Sequence, residues 1–174
     1  MLVNNNSKDR CFMNKIIGIM GPNNASKENL RDTYEIGKYV ANKGYTVLTG
    51  GLNVGVQNKG LKGAKSSNGL TIGIMPFNEP EKFSEYVDIP IITNMRSGRN
   101  YINVSSSNLV NACEIDVGTI SEISLSLVKT NNKKVILVGT LQEANDLFTK
   151  LKSDNIFIAK DYNECINIFE RIEF

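Results

Sequence analysis

YTVLTGGLNVGVQNKGLKGAKSSNGLTIGIMP, residues 45–76, holds two apolar runs with a helical segment between them. The first run, YTVLTGG (45–51), closes on a Gly pair, and the second, LTIGIMP (70–76), closes on Pro. Both are short, nearly continuous in apolar residues and bounded by chain-turning residues, as strands buried on two faces are. GVQNKGLKGAKSS (55–67) between them reads as a short helix. Strand, helix and strand within about 30 residues form a βαβ unit, whose strands lie parallel in one sheet.

The same alternation continues outward in both directions. KIIGIMG (15–21) reads as a preceding strand, and Ser26–Asn42 as a helix with Leu30, Tyr34, Val40 and Ala41 at helical spacing. Ser26 suits its N-cap, Glu28 its first turn and Gly44 its end. Downstream, VDIPIIT (87–93) is strand-like despite Pro90, a helix is expected over about 97–107, and NLVNACEI (108–115) is a weaker strand. TISEISLSLVKT (119–130) places Ile120, Ile123, Leu127 and Val128 on one helical face. KKVILVG (133–139) is the clearest strand, and LQEANDLFTKLK a helix through Leu141, Ala144, Leu147 and Leu151. NIFIAKD and YNECINIFERIEF supply a last strand and helix. The expected architecture is one α/β domain over 15–174: a doubly wound, mostly parallel sheet of about seven strands with helices on both faces. Residues 1–14 read as a flexible leader, with Met13 an alternative start.

Composition narrows the chemistry. The net charge is only +2, and Lys and Arg are scattered, so neither nucleic acid nor an anionic membrane is called for. Cys11, Cys113 and Cys165 are odd in number and far apart, which fits a reduced, cytoplasmic protein rather than a disulfide scaffold. His is absent, which removes Ser-His-Asp and Cys-His catalysis and imidazole metal ligands. No metal site is expected. The serines at 66–67 and 105–107 then lack an evident base and read as helix-end residues. No apolar run approaches the ~20 residues of a membrane helix, and the start lacks a signal peptide's apolar centre.

Doubly wound sheets bind ligands outside the carboxyl ends of their strands, so the residues just after each strand become the candidates. Gly21 follows the first strand; Gly50, Gly51, Asn53 and Gly55 follow the second; Gly118 and Thr119 lead into a helix after the weak strand. Backbone N–H groups at such turns can hold a phosphate, because Gly permits close approach. Gly also ends strands in any α/β fold. Arg99, in MRSGRN, offers a guanidinium to a phosphate. Glu122 lies three residues after Thr119, which fits either a ligand-facing acid or a capping box bonding back to the helix start. Glu114 and Asp116 are awkward within an apolar strand; they must lie near its exposed end, either paired with Lys or placing negative charge where a phosphate would sit.

LTGGLNVGVQNKGLKGAKSSNGLTIGIMP, YVDIPIITNMRSGRNYINVSSSN and GTISEISLSL, in that order, resemble the molybdenum-cofactor carrier proteins and their bacterial relatives. These belong with the Rossmann-like LOG-type phosphoribohydrolases, often labelled lysine decarboxylase-like. The resemblance covers roughly 15–139. It implies a Rossmann-like fold and a site for a phosphorylated nucleotide or pterin, such as molybdenum cofactor, with Gly50, Gly51, Asn53, Gly118 and Thr119 on phosphate and Arg99 supplying charge. The hydrolase branch carries P-G-G-x-G-T-x-x-E with an upstream Arg, and cleaves the N-glycosidic bond of nucleoside 5′-monophosphates. By that pattern Arg99 and Glu122 would be catalytic. Here Glu114, Ile115, Asp116 and Val117 stand where the motif has P-G-G-x, and Arg99 is followed by Asn100, as in the carrier branch. Two backbone-exposing glycines thus become a β-branched residue and an acid. The loop Gly50–Gly55 is then expected to carry more of the ligand contact. RNYINVSSSNLV also resembles the Rossmann domain of DNA-processing proteins, against which the modest charge and the lack of an aromatic–basic stripe weigh. Relatives of these kinds imply a homo-oligomer, a dimer or tetramer.

Overall fold

The computed structural model describes residues 14–128 and 130–174, so the expected leader, apart from Asn14, lies outside the described residues. The strands are β1 (Ile16–Met20), β2 (Thr46–Thr49), β3 (Thr71–Met75), β4 (Ile89–Ile92), β5 (Leu109–Cys113), β6 (Lys134–Val138) and β7 (Ile156–Ala159). The helices are α1 (Lys27–Asn42), α2 (Gly55–Lys65), α3 (Asn100–Ser105), α4 (Val117–Leu127), α5 (Gln142–Lys152) and α6 (Tyr162–Phe169). All seven strands run parallel in the order β4-β3-β2-β1-β5-β6-β7. The expected doubly wound sheet is therefore present and wholly parallel.

The continuous apolar runs conceal a period of two. On β6, Ile136 and Val138 join a core layer with Ile36, Val40 and Leu61 of α1 and α2 and Phe169 of α6, while Val135 and Leu137 join Ile123 of α4 and Phe148 of α5 on the other side. β1, β2, β5, β6 and β7 each feed both layers, which is why these strands do not look amphipathic in sequence. α1 and α2 meet backbone to backbone: a Cβ on Gly37 would overlap the Gly60 carbonyl.

Several expected boundaries moved. The run expected to be helical over 97–107 splits into a 3₁₀ turn, Arg96–Arg99, and the six residues of α3. α4 begins at Val117, two residues before the expected start, because the Asp116 carboxylate caps it. β5, weak in sequence because of its polar Asn111, is completely buried between β1 and β6. Asn111 fits by accepting a hydrogen bond from the Cys165 thiol. β4 is an edge strand, where Pro90 has no ladder to interrupt on its outer side, and all four of its residues are exposed.

The chain winds outward from β1 to β4, then returns to place β5 on β1's other side. That reversal is the topological switch point, and it opens a crevice above the carboxyl ends of β1 and β5.

Candidate functional site

A cavity of about 310 Å³ lies in that crevice, within the ~300–1,000 Å³ range of small-molecule sites. Every strand of the β1–β3 half contributes its following loop: Gly21 and Asn23 after β1, Gly50 and Leu52 after β2, Pro76 and Phe77 after β3. Arg96, Ser97, Arg99 and Asn100 enter from the turn before α3, and Asp116, Gly118, Thr119 and Glu122 from the start of α4.

Seven of the expected residues thus converge: Gly21, Gly50, Arg99, Asn100, Gly118, Thr119 and Glu122. Gly51, Asn53 and Gly55 lie outside this lining, so the loop after β2 contributes less than its glycines suggest. Its backbone serves structure instead. Gly51 accepts from Ser84 N–H, Asn53 donates to Lys82, and Leu52 bridges Phe83. Gly55 starts α2 against the Pro22 and Asn23 carbonyls.

Gly50 is required by the site itself. A Cβ there would fall onto both terminal nitrogens of Arg99 and onto Gln57 Oε1. The missing side chain lets the guanidinium lie flat against the β2 turn. Arg99 is only 9% exposed, yet its guanidinium makes no side-chain hydrogen bond or ion pair among the described residues. A buried cation of this kind is costly unless an anion joins it. Burial lowers its pKa from the ordinary value, and the charge of Glu122 partly offsets this.

Glu122 is 6% exposed and receives a 2.7 Å hydrogen bond from Asn103 Nδ2. Burial pushes its carboxyl up to about 7; Arg99 and the Asn103 bond pull the other way, and Asp116 adds to the rise. It therefore does not form the capping box that its spacing from Thr119 allowed. The cap is Asp116, whose Oδ1 accepts from Thr119 N–H at 2.7 Å and from the Thr119 hydroxyl at 2.8 Å. Asn100 Nδ2 donates to Ser121 Oγ at 2.7 Å, pinning α3 to α4.

The segment Glu114–Val117 resolves its own conflict. The left-handed backbone falls on Glu114 at φ 65°, and Ile115 stays out of that region. The Glu114 carboxylate meets no Lys among the described residues; it accepts from Ser26 N–H and Asn29 Nδ2 at the start of α1. There it complements the positive end of the helix.

Sequence reasoning missed Asn23, Gln57, Phe77 and Asn103. Gln57 Nε2 donates to Asn23 Oδ1 at 3.0 Å, closing the wall beside Gly50. Asn103 had a signal: it lies four residues after Arg99, so one helical turn brings both to α4. Asn23 and Phe77 shared the signal of lying just after a strand; Gln57, inside α2, had none.

No helix among the described residues is long and apolar enough to cross a membrane, and no cluster of His, Cys, Asp and Glu there could hold a metal.

The sequence model of the SLOG cluster4 family matches residues 14–166. Among solved structures, the molybdenum cofactor binding protein of Rippkaea orientalis is 40% identical with a TM-score of 0.85, over 91% of this chain and 97% of that one. The molybdenum cofactor carrier protein of Chlamydomonas reinhardtii is 38% identical with a TM-score of 0.83, again over 91% and 97%. The DNA processing protein A of Helicobacter pylori is 18% identical with a TM-score of 0.65, over 90% of this chain and 80% of that one, a likeness of fold alone.

Proposed function

The chain belongs to the SLOG cluster4 family, and from that premise we propose that it is a binding protein for a phosphorylated pterin or nucleotide, with molybdenum cofactor as its cargo. One observation carries the reading: the buried guanidinium of Arg99, with no hydrogen-bond or ion-pair partner among the described residues, lines a cavity at the switch point of the sheet. A phosphate there would supply the missing anion and accept two parallel N–H bonds. Arg96 adds a second positive charge, and the Phe77 ring an apolar wall for a flat heterocycle. Asn23, Gln57 and Asn100 present polar groups between them. The residues present therefore suit a ligand that is charged at one end and planar at the other.

A phosphoribohydrolase is the second reading, favoured because Glu122 shares the cavity with Arg99. Against it stands Asp116, which holds the Thr119 donors that the hydrolase motif gives to phosphate. Single-strand DNA binding has only the fold in its support. We place the protein in the cytoplasm and as a homo-oligomer, since Ile89, Ile91, Ile92 and Met95 leave an apolar edge exposed at β4.

Thermal unfolding with molybdenum cofactor freshly released from a molybdoenzyme, and with AMP and GMP, tests the reading. At 100 times Kd a ligand adds roughly 2.7 kcal/mol, which for this size raises Tm by roughly 5–11 °C. A shift below about one degree with every ligand overturns the proposal. Release of free adenine from AMP, lost in Glu122→Gln, would replace it with the hydrolase.

A further inference from the structure

The cavity wall carries groups of opposite charge. The Arg99 guanidinium makes no hydrogen bond or ion pair among the described residues. The start of α4 is closed to anions, because Asp116 Oδ1 already occupies the Thr119 N–H and hydroxyl. A phosphate brought there would meet a carboxylate, and like charges repel. The second oxygen of Asp116 makes no hydrogen bond among the described residues, and the side chain both lines the cavity and is exposed. A carboxylate oxygen accepts hydrogen bonds and donates none. This part of the wall therefore calls for a ligand edge made of N–H donors.

We infer that Asp116 is the specificity-determining residue of the cavity: the ligand's phosphate lies on Arg99, and Asp116 accepts the adjacent amino and ring N–H groups of a 2-amino-4-oxopyrimidine edge. Pterins and guanine present that pair of donors. Adenine presents one amino group beside a ring nitrogen lone pair, which a carboxylate repels. A carboxylate in the wall of the cavity favours a ligand edge that presents donors over one that presents a lone pair. The inference rests on the carrier reading of the same cavity and adds to it the orientation and ring class of the ligand. It also accounts for the replacement of a motif glycine by an acid: losing one phosphate contact creates a base-reading contact.

Binding of GMP, AMP and inorganic phosphate to the intact chain by isothermal titration calorimetry tests this, in wild type, Asp116→Asn and Arg99→Gln. Wild type should bind GMP about tenfold or more tighter than AMP, since a hydrogen bond to the charged free oxygen is worth about 1.5 kcal/mol or more and adenine sets a lone pair beside its donor. Asp116→Asn keeps an N-cap side chain but turns the free oxygen into a donor or removes its charge, so the preference should fall below about threefold. AMP binding as tight as GMP in wild type overturns the inference without reference to any variant. So does a preference that survives in Asp116→Asn. Binding that needs Arg99 but ignores the ring overturns this inference and leaves the carrier reading standing; binding of neither nucleotide overturns this inference, while the carrier reading falls only if molybdenum cofactor also fails to bind.

Discussion

Replacing Glu122 by Gln should abolish the pH dependence that this one carboxyl imposes on stability. In the folded chain the carboxyl is buried and its pKa is raised to about 7 from an ordinary 4.5. A raised acid favours folding below the unfolded value and loses that contribution as pH climbs through the folded value. The rise from 4.5 to about 7 corresponds to about 3 kcal/mol. Most of this, roughly 2–3 kcal/mol, falls between pH 5 and pH 8. Gln keeps the acceptor for Asn103 Nδ2 and carries no charge to titrate. Urea unfolding of wild type and Glu122→Gln at both pH values reads the effect directly. The variant should gain roughly 2–3 kcal/mol relative to wild type on going from pH 5 to pH 8, whatever its offset at pH 5. A difference between the two chains that stays constant across that range would refute the burial and electrostatics assigned to Glu122.

Gly50→Ala should displace Arg99 and Gln57, and ligand affinity measured by calorimetry should fall about tenfold or more. Asp116→Ala removes the cap of α4 and should cost about 1 kcal/mol in urea unfolding, with Asp116→Asn close to neutral. Gly37→Ala gains ~1 kcal/mol of helix propensity, yet the overlap with the Gly60 carbonyl costs more, so the sign should be a net loss of about 1–2 kcal/mol. Phe148→Ala empties a fully buried site and should cost about 3–5 kcal/mol. Ile91→Lys at the exposed β4 edge should shift the protein toward monomer in light scattering after gel filtration.

The fold was legible because runs such as Lys134–Val138 and Thr71–Met75 are apolar throughout and flanked by helical segments, a combination that only a covered parallel sheet satisfies. β5 was the least legible strand although it lies beside the central β1, because Asn111 finds its hydrogen-bond partner in Cys165, 54 positions away. The site was half legible. Arg99, Gly118, Thr119 and Glu122 stand out by position after strands and by motif, and all four reach one cavity. The roles of Asp116 and Glu122 were not readable. Spacing alone allows either acid to serve the helix start, and it is the tertiary contact with Asn103 that draws Glu122 inward. The loop after β2 was legible only as a turn: a Gly pair announces a tight turn, and which of its residues face the cavity and which a neighbouring loop depends on residues 82–84, which no local pattern reveals.

The central claim is that Arg99 is the anion anchor of a carrier site. It is tested most directly by mixing molybdenum cofactor with wild type and with Arg99→Gln, separating free cofactor by gel filtration, and quantifying protein-bound molybdenum. Wild type should retain about one equivalent, and Arg99→Gln at least tenfold less while keeping the wild-type circular dichroism spectrum. Equal retention by the two chains would contradict the account.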